Sequence, residues 1–181
     1  MVVLEKRWSG SQRILTNTIR TYLILGFFDD DPDKTGGEFY GYEVLGSERL
    51  LETKYNDGQT GAVIAIKDGK VREWLANRHN LFSSWETIVH PNAVITSSSK
   101  WGRGGFIFPN VTVSVDTVIG DFVLLYIQAV VLNDSEVDNY SSVMENTTVA
   151  DHKRIADRTE VKDRDECVFV SGARQSGSWH G

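Results

Sequence analysis

Three places in this chain hold side chains able to do chemistry: the pair Asn133-Asp134, the histidine His152 one wider period beyond it, and the acidic run Asp29-Asp30-Asp31. An asparagine amide cannot accept a proton near neutral pH, so Asn133 is no general base. A carboxylate can serve when burial raises its pKa, and an imidazole can serve at its ordinary one. Asp134 and His152 are therefore side chains able to take up a proton, while Asn133-Asp134 also reads simply as a structural corner pair and His152 as a surface corner histidine. Asp29 and Asp30 follow the apolar run Leu23 to Phe28, at the carboxyl end of an expected strand, where ligands are commonly held; a solvated turn is the other reading. The remaining histidines have weaker claims: His79 follows Arg78 on an expected helix surface, His90 precedes Pro91, and His180 sits in a polar tail. No His-x4-His pair and no cysteine cluster is present, so no metal site is expected.

The positions of Asp134 and His152 make sense only through the elements that carry them. From Val89 to Cys167 every sixth residue falls on one phase: Val89, Ile95, Trp101, Ile107, Val113, Ile119, Leu125, Val131, Val137, Val143, Val149, Ile155, Val161 and Cys167. Twelve of these fourteen are Val, Ile or Leu, although residues 89–172 hold only 23 such residues, so about four would share a phase by chance. Neither the helical period nor strand alternation repeats every six residues, whereas a triangular coil of short parallel strands does. Four positions after each large residue stands a small or β-branched one, as in Ala93, Ser99, Gly105, Thr117, Ala129, Ser135 and Ser141. Those two phases are two residues apart across the next hexad, so in an extended chain they point to the same side and form the interior. The slot two after the large residue holds Asp121, Asn133, Asn139, Asp151, Asp157 and Asp163, residue types that tolerate left-handed backbone, and is expected to turn the corner. Asp134 and His152 then share a phase on consecutive turns and stack about 5 Å apart, one strand spacing. After Ile155 the pattern weakens, because Lys153 and Asp165 fall in small-residue slots, and local distortion is expected there.

The amino-terminal half reads differently. Leu23 to Phe28 and Ala62 to Ile66 are apolar strands, Gly41 to Gly46 is a short extended segment, and a helix is expected around Lys70 to Asn80. Strand, helix and strand in alternation suggest a small α/β domain over 1–87, followed by the coil over 88–173 and a polar tail over 174–181. With 181 residues and 40% hydrophobic content, the chain can bury a substantial core. A net charge of −6 and no basic block argue against a nucleic-acid partner. No stretch is apolar enough to span a bilayer, the run Met1 to Leu4 breaks at Glu5-Lys6-Arg7, and the single Cys167 excludes an internal disulfide framework. A cytoplasmic location is expected.

The hexad repeat resembles the left-handed parallel β-helix of the hexapeptide-repeat acyltransferases, and the left hand comes from that resemblance, since crossovers are otherwise right-handed. Gly26-Phe27-Phe28-Asp29-Asp30-Asp31-Pro32, Glu38 to Gly46, Ala62 to Ile66, and Ile88-Val89-His90-Pro91-Asn92-Ala93-Val94-Ile95 resemble the sugar acetyltransferases that include sialic acid O-acetyltransferases and bacillosamine-pathway N-acetyltransferases. The similarity covers roughly 24 to 172. It implies an acetyl-CoA-dependent N- or O-acetyltransferase of surface-glycan biosynthesis, a homotrimer that takes a sugar or nucleotide-activated amino sugar, with acetyl-CoA held at the edge between subunits. It also places Asp29 and Asp30 near the sugar nucleotide.

The sequence departs from that family in two places. Its usual glycine-rich Gly-x-Gly-Gly-His turn has no counterpart in residues 1–22, which contain only Gly10. Its catalytic histidine matches Asn133, and a second histidine matches Ser142, neither of which can be a base. Catalysis would then need Asp134, an acceptor amine arriving deprotonated, or His152 from the next turn. Lys153, Arg154, Arg158, Lys162, Arg164 and Arg174 are available for CoA phosphates, but acidic neighbours offset them. The γ-class carbonic anhydrases use the same coil with three histidines on a metal, a spacing absent here. The alternative to an enzyme is a catalytically inactive β-helix scaffold or sugar-nucleotide-binding module.

Overall fold

The computed structural model describes residues 1–7, 21–55, 60–80 and 84–162. Its amino-terminal unit is built on a five-stranded mixed sheet of β1 (Val2–Arg7), β2 (Thr21–Phe28), β3 (Glu38–Phe39), β4 (Tyr42–Gly46) and β5 (Thr60–Val63), in the order β3-β4-β2-β1-β5. β1 pairs antiparallel with β2 and β5, and β2 pairs parallel with β4. The expected strands at Leu23 to Phe28 and Gly41 to Gly46 are present, and the third ends at Val63, three residues before Ile66. The short apolar run at the start of the chain is the inner strand β1, and a one-turn helix α1 (Leu50–Lys54) follows β4; neither is foreseen from the residues alone. Gly26 sits where β2 meets β4 so closely that a Cβ there would lie 2.7 Å from the Glu43 carbonyl oxygen.

The helix expected around Lys70 to Asn80 is α2 (Gly69–Arg78). Asp68 caps it, accepting from the Lys70 and Val71 amides at 2.8 and 3.3 Å. Leu75 and Ala76 pack with Phe28, Leu51, Ala62, Ile64 and Trp85 in one core. Among the described residues no helix is long and apolar enough to cross a membrane.

Among the described residues from Ile88 onward the chain forms thirteen two-residue strands arranged as three parallel sheets. The first contains Val94–Ile95, Thr112–Val113, Val130–Val131 and Thr148–Val149; the second begins with Lys100–Trp101 and ends with Arg154–Ile155; the third runs from Ile88–Val89 to Glu160–Val161. Each strand pairs with the strand three later at a constant offset, as in Thr112 with Val130 and Val130 with Thr148. This is the expected left-handed parallel β-helix behind an α/β unit. Its axis is filled by the hexad series from Ile107 to Val161, all buried, with Val111, Val123 and Ala129 between them. Fully removing each such Val, Ile or Leu from water contributes about 1.5–3 kcal/mol. Trp101 is the exception within the series, 37% exposed on the first rung of its sheet.

The corners correct one expectation. Left-handed backbone falls three, not two, positions after the large residue: Asn110, Asp116, Phe122, Gln128, Asp134, Tyr140, Asn146, His152 and Arg158 all have φ between 53° and 61°. The Asx slot before it works through its side chains. Asp121 Oδ1 accepts the Arg103 amide at 3.0 Å, Asn139 Oδ1 accepts the Asp121 amide at 2.8 Å, and Asp151 Oδ1 accepts the Asn133 amide at 2.9 Å. Each Asx thus stitches its own rung to the one before. The expected distortion near Lys153 does not occur, since Glu136↔Arg154 and Val137↔Ile155 pair in register and Lys153 is half-buried; Asp165 and Cys167 lie outside the described residues.

The two units are locked together at the corner between the second and third sheets. Phe122 leaves that corner to enter the amino-terminal core, 5.4 Å from the Trp85 ring and stacked at 5.3 Å on Tyr140. Arg72 of α2 is fully buried, with Nε 3.0 Å from the Phe122 carbonyl, Nη1 2.9 Å from that of Ile66, and Nη2 3.1 Å from that of Ser141. Burial pushes its pKa down, and the carbonyls take up its hydrogens in place of water.

Candidate functional site

The end of β2 opens into a cavity of about 570 Å³. Phe27, Phe28, Asp29 and Asp30 border it from the sheet, Val71, Trp74 and Leu75 from α2, and Phe39 and Glu48 from the chain between β3 and α1. Asp29 and Asp30 are fixed differently. Asp29 closes its own turn: Oδ1 accepts the Asp31 amide at 3.0 Å and Oδ2 pairs with Lys34 Nζ at 2.9 Å. The Lys34 hydrogen bond, with that amide, holds its carboxyl below the usual range. Asp30 reaches across to the next loop, where Oδ1 accepts from Ser47 Oγ at 2.8 Å and from the Glu48 amide at 3.3 Å. The aromatic wall, with Phe27 and Phe39 edge to face at 5.2 Å and Trp74 beneath the Arg78 guanidinium at 4.9 Å, was not singled out by sequence. Apolar walls with a few polar groups suit a small-molecule ligand.

Asp134 and His152 stand on consecutive turns at the corner between the first and second sheets. His152 Nδ1 lies 3.7 Å from Asp134 Oδ2, closer than the strand spacing, and the side chains are 74% and 53% exposed. At 3.7 Å the two groups are neighbours without a hydrogen bond, and either ring nitrogen can carry the proton of a neutral imidazole. Asn133 is otherwise engaged: its amide nitrogen donates to Asp151 Oδ1 at 2.9 Å and its oxygen accepts from Ser114 Oγ. Ser142 is buried beneath Arg72 Nη2 at 3.2 Å.

His79 is not on a helix surface. It ends α2 with only 4% of its area exposed, between Glu48 and Glu52. The signal was present as spacing: Arg72, Leu75, Ala76 and His79 form one helical stripe and all four are buried. His90 accepts the Asn92 amide through Nδ1 at 3.1 Å in a local turn. Three of the basic residues weighed for CoA are paired with carboxylates: Arg154 with Asp138 at 2.9 Å, Arg158 with Glu73 at 2.8 Å, and Lys162 with Glu160 at 3.1 Å. Arg164, Arg174, His180 and most of the segment expected to carry the glycine-rich turn lie outside the described residues. Among the described residues no group of three His, Cys, Asp or Glu could hold a metal ion.

Comparison with known proteins gives this geometry a family context. Residues 13–79 match the PglD N-terminal domain family. The chain is 31% identical over 106 residues to a GDP-perosamine N-acetyltransferase of Escherichia coli O157:H7, covering 58% of this chain and 47% of that one, so it spans about half the length of that relative. In fold it is similar to the acetyltransferase domain of PglB from Neisseria gonorrhoeae, with a TM-score of 0.68, 22% identity, and 75% of this chain and 65% of that chain covered. The same domain in complex with acetyl coenzyme A matches with a TM-score of 0.60 at 21% identity, over 76% and 69% of the two chains. A variant of the GDP-perosamine N-acetyltransferase of Caulobacter crescentus, in complex with CoA and GDP-perosamine, matches with a TM-score of 0.51 at 18% identity, over 75% and 78%. A PglD-type N-terminal unit joined to a left-handed β-helix is thus what the chain presents, and it bears out the resemblance to the hexapeptide-repeat sugar acetyltransferase family.

Proposed function

We propose that this protein transfers the acetyl group of acetyl-CoA to an amino group on a nucleotide-activated sugar for surface-glycan synthesis, in the cytoplasm and as a homotrimer. The amino-terminal unit, residues 1–87, holds the nucleotide sugar in the cavity bordered by Asp29 and Asp30, and the coil, residues 88–173, presents the thioester. The observation that carries this reading is the joining of a PglD-type unit, with an open cavity at the end of β2, to a coil of the acetyltransferase type. Names of relatives, a GDP-perosamine N-acetyltransferase among them, favour an amine acceptor over a hydroxyl.

The trimer is supported by topology. The amino-terminal unit docks on the third sheet and its corner with the second, whereas Asp134 and His152 occupy the corner between the first and second sheets. One chain therefore keeps cavity and candidate base on different sides, and a neighbouring copy would bring them together. In the reaction the sugar amine attacks the thioester carbonyl, a C–N bond forms as the C–S bond breaks, His152 Nε2 takes the amine proton, and the proton passes to the departing CoA sulfur.

A thiol-release assay with acetyl-CoA and GDP- or UDP-linked amino sugars tests the proposal; a folded protein that releases no thiol with any of them rejects it. The second reading, a silent sugar-nucleotide-binding module, is favoured by the full engagement of Asn133 in the rung ladder. Calorimetry showing nucleotide-sugar binding without CoA binding would select it. Turnover created by Asn133→His would show that the parent lacks its base.

A further inference from the structure

Beneath the cavity lies a buried set of charges that acetyl transfer does not use. His79 and Glu48 are each 4% exposed, and Glu48 lines the cavity. His79 Nδ1 is 3.5 Å from Glu52 Oε1, and Nε2 is 4.0 Å from Glu48 Oε1. Arg78 Nε approaches that same Glu48 oxygen at 3.0 Å, and its guanidinium lies over Trp74 on the cavity wall. Ser47 Oγ, with one hydrogen to give, lies 2.8 Å from Asp30 Oδ1 and 3.0 Å from the other Glu48 oxygen, and the Glu48 amide donates to Asp30 Oδ1 at 3.3 Å. Among the described residues the charged groups facing the imidazole are Glu52 from α1, Glu48 from the loop before it, Arg78 from α2, and Asp30 from the end of β2.

Hydrogen counting allows this set a second arrangement. A neutral imidazole has one N–H, so it can serve Glu52 or Glu48 but not both. Among the described residues His79 Nε2, Glu52 Oε1 and Glu48 Oε1 all lack a hydrogen-bond partner; a neutral ring that turns Nδ1–H to Glu52 leaves a bare Nε2 facing, and repelled by, the Glu48 oxygen. A protonated ring donates from both nitrogens. It closes the 4.0 Å gap to Glu48 Oε1, and Glu48 then turns from Arg78 and Ser47.

We infer that His79 is a positioning residue for the cavity: through Glu48 it sets the placement of Asp30, bonded to the Glu48 amide, and of Trp74, held under Arg78. Neutral His79 keeps the arrangement described above. Protonation shifts both walls and weakens ligand binding. Burial lowers the pKa of the ring, against Glu52, which raises it, so the neutral arrangement prevails at pH 7. The loss of affinity rests on the nucleotide-sugar reading of the cavity; the movement of Trp74 does not.

The test is the tryptophan emission of the full, ligand-free chain against pH, with Trp74→Phe subtracted to isolate Trp74, alongside calorimetry with GDP-perosamine. The expected result is a step in Trp74 emission on acidification below the ordinary histidine range, absent in His79→Gln and moved to lower pH in Glu52→Gln. Across the same range, affinity should fall at least threefold in the parent and stay level in His79→Gln. A parent with no step, a step that survives in His79→Gln, or one that Glu52→Gln leaves in place would overturn the inference. A Trp74 step of the expected kind in a protein that binds no nucleotide sugar at any pH would sink the proposed function and leave the role of His79 standing.

Discussion

A carboxylate beside an imidazole does its work by choosing the tautomer, and Asp134 is placed to do this for His152 at 3.7 Å. His152→Ala should lower turnover by roughly 10²–10⁴-fold, the usual contribution of a general base, while Asp134→Asn should lower it by about tenfold because the ring keeps its nitrogen but loses its orientation. Steady-state thiol release checks both, and equal effects of the two substitutions would contradict the division of roles. His79 supports a prediction about stability. Its folded pKa lies below the unfolded value, so between the two the unfolded chain binds more protons; the stability it contributes is present above the ordinary histidine pKa and lost as pH falls. Urea unfolding across that range should therefore show stability falling on acidification, with a shallower slope in His79→Gln. The stacking of Asp134 and His152 was legible because their separation is one turn of the coil. The burial of His79 was not, because Arg78 drew the eye to a surface although the stripe from Arg72 through Leu75 and Ala76 pointed the other way.

Among elements, the coil is the one whose sequence and structure agree most fully, since one inward phase fixes strand, face and register together. Leu125→Ala, at a fully buried rung centre, should cost about 3 kcal/mol in denaturant unfolding. The corner was read one residue too early. Asp and Asn tolerate that backbone, and Asn110, Asp116, Asp134 and Asn146 do occupy the slot, but so do Phe122, Gln128, Tyr140 and Arg158, each with its amide bonded to a carbonyl of the rung before. At exposed Gln128, φ 61°, Gln128→Gly should therefore raise stability by about 0.5 kcal/mol, relief of left-handed strain outweighing the added freedom of the unfolded chain; a loss would show the corner to be unstrained. β1 escaped notice because a four-residue apolar run says nothing of its partners, which lie at Thr21–Phe28 and Thr60–Val63.

At the scale of the whole molecule, Arg72 joins the two units by giving the hydrogens of a buried guanidinium to carbonyls on both sides. Arg72→Met should destabilise the chain by roughly 3–5 kcal/mol, because it strands those carbonyls in a closed interface, and calorimetric unfolding would show it. No sequence pattern revealed this, since the acceptors are backbone atoms far along the chain. The same docking fixes the cavity on one side of the coil and the candidate base on another, which is why the proposed chemistry needs more than one copy. The direct test is mass spectrometry of a nucleotide amino sugar incubated with acetyl-CoA and the protein. The account predicts an acetylated sugar nucleotide, formed at least a hundredfold faster by the parent than by His152→Ala. An unmodified sugar after incubation with a folded protein that binds both ligands, or product formed equally by the variant, would contradict it.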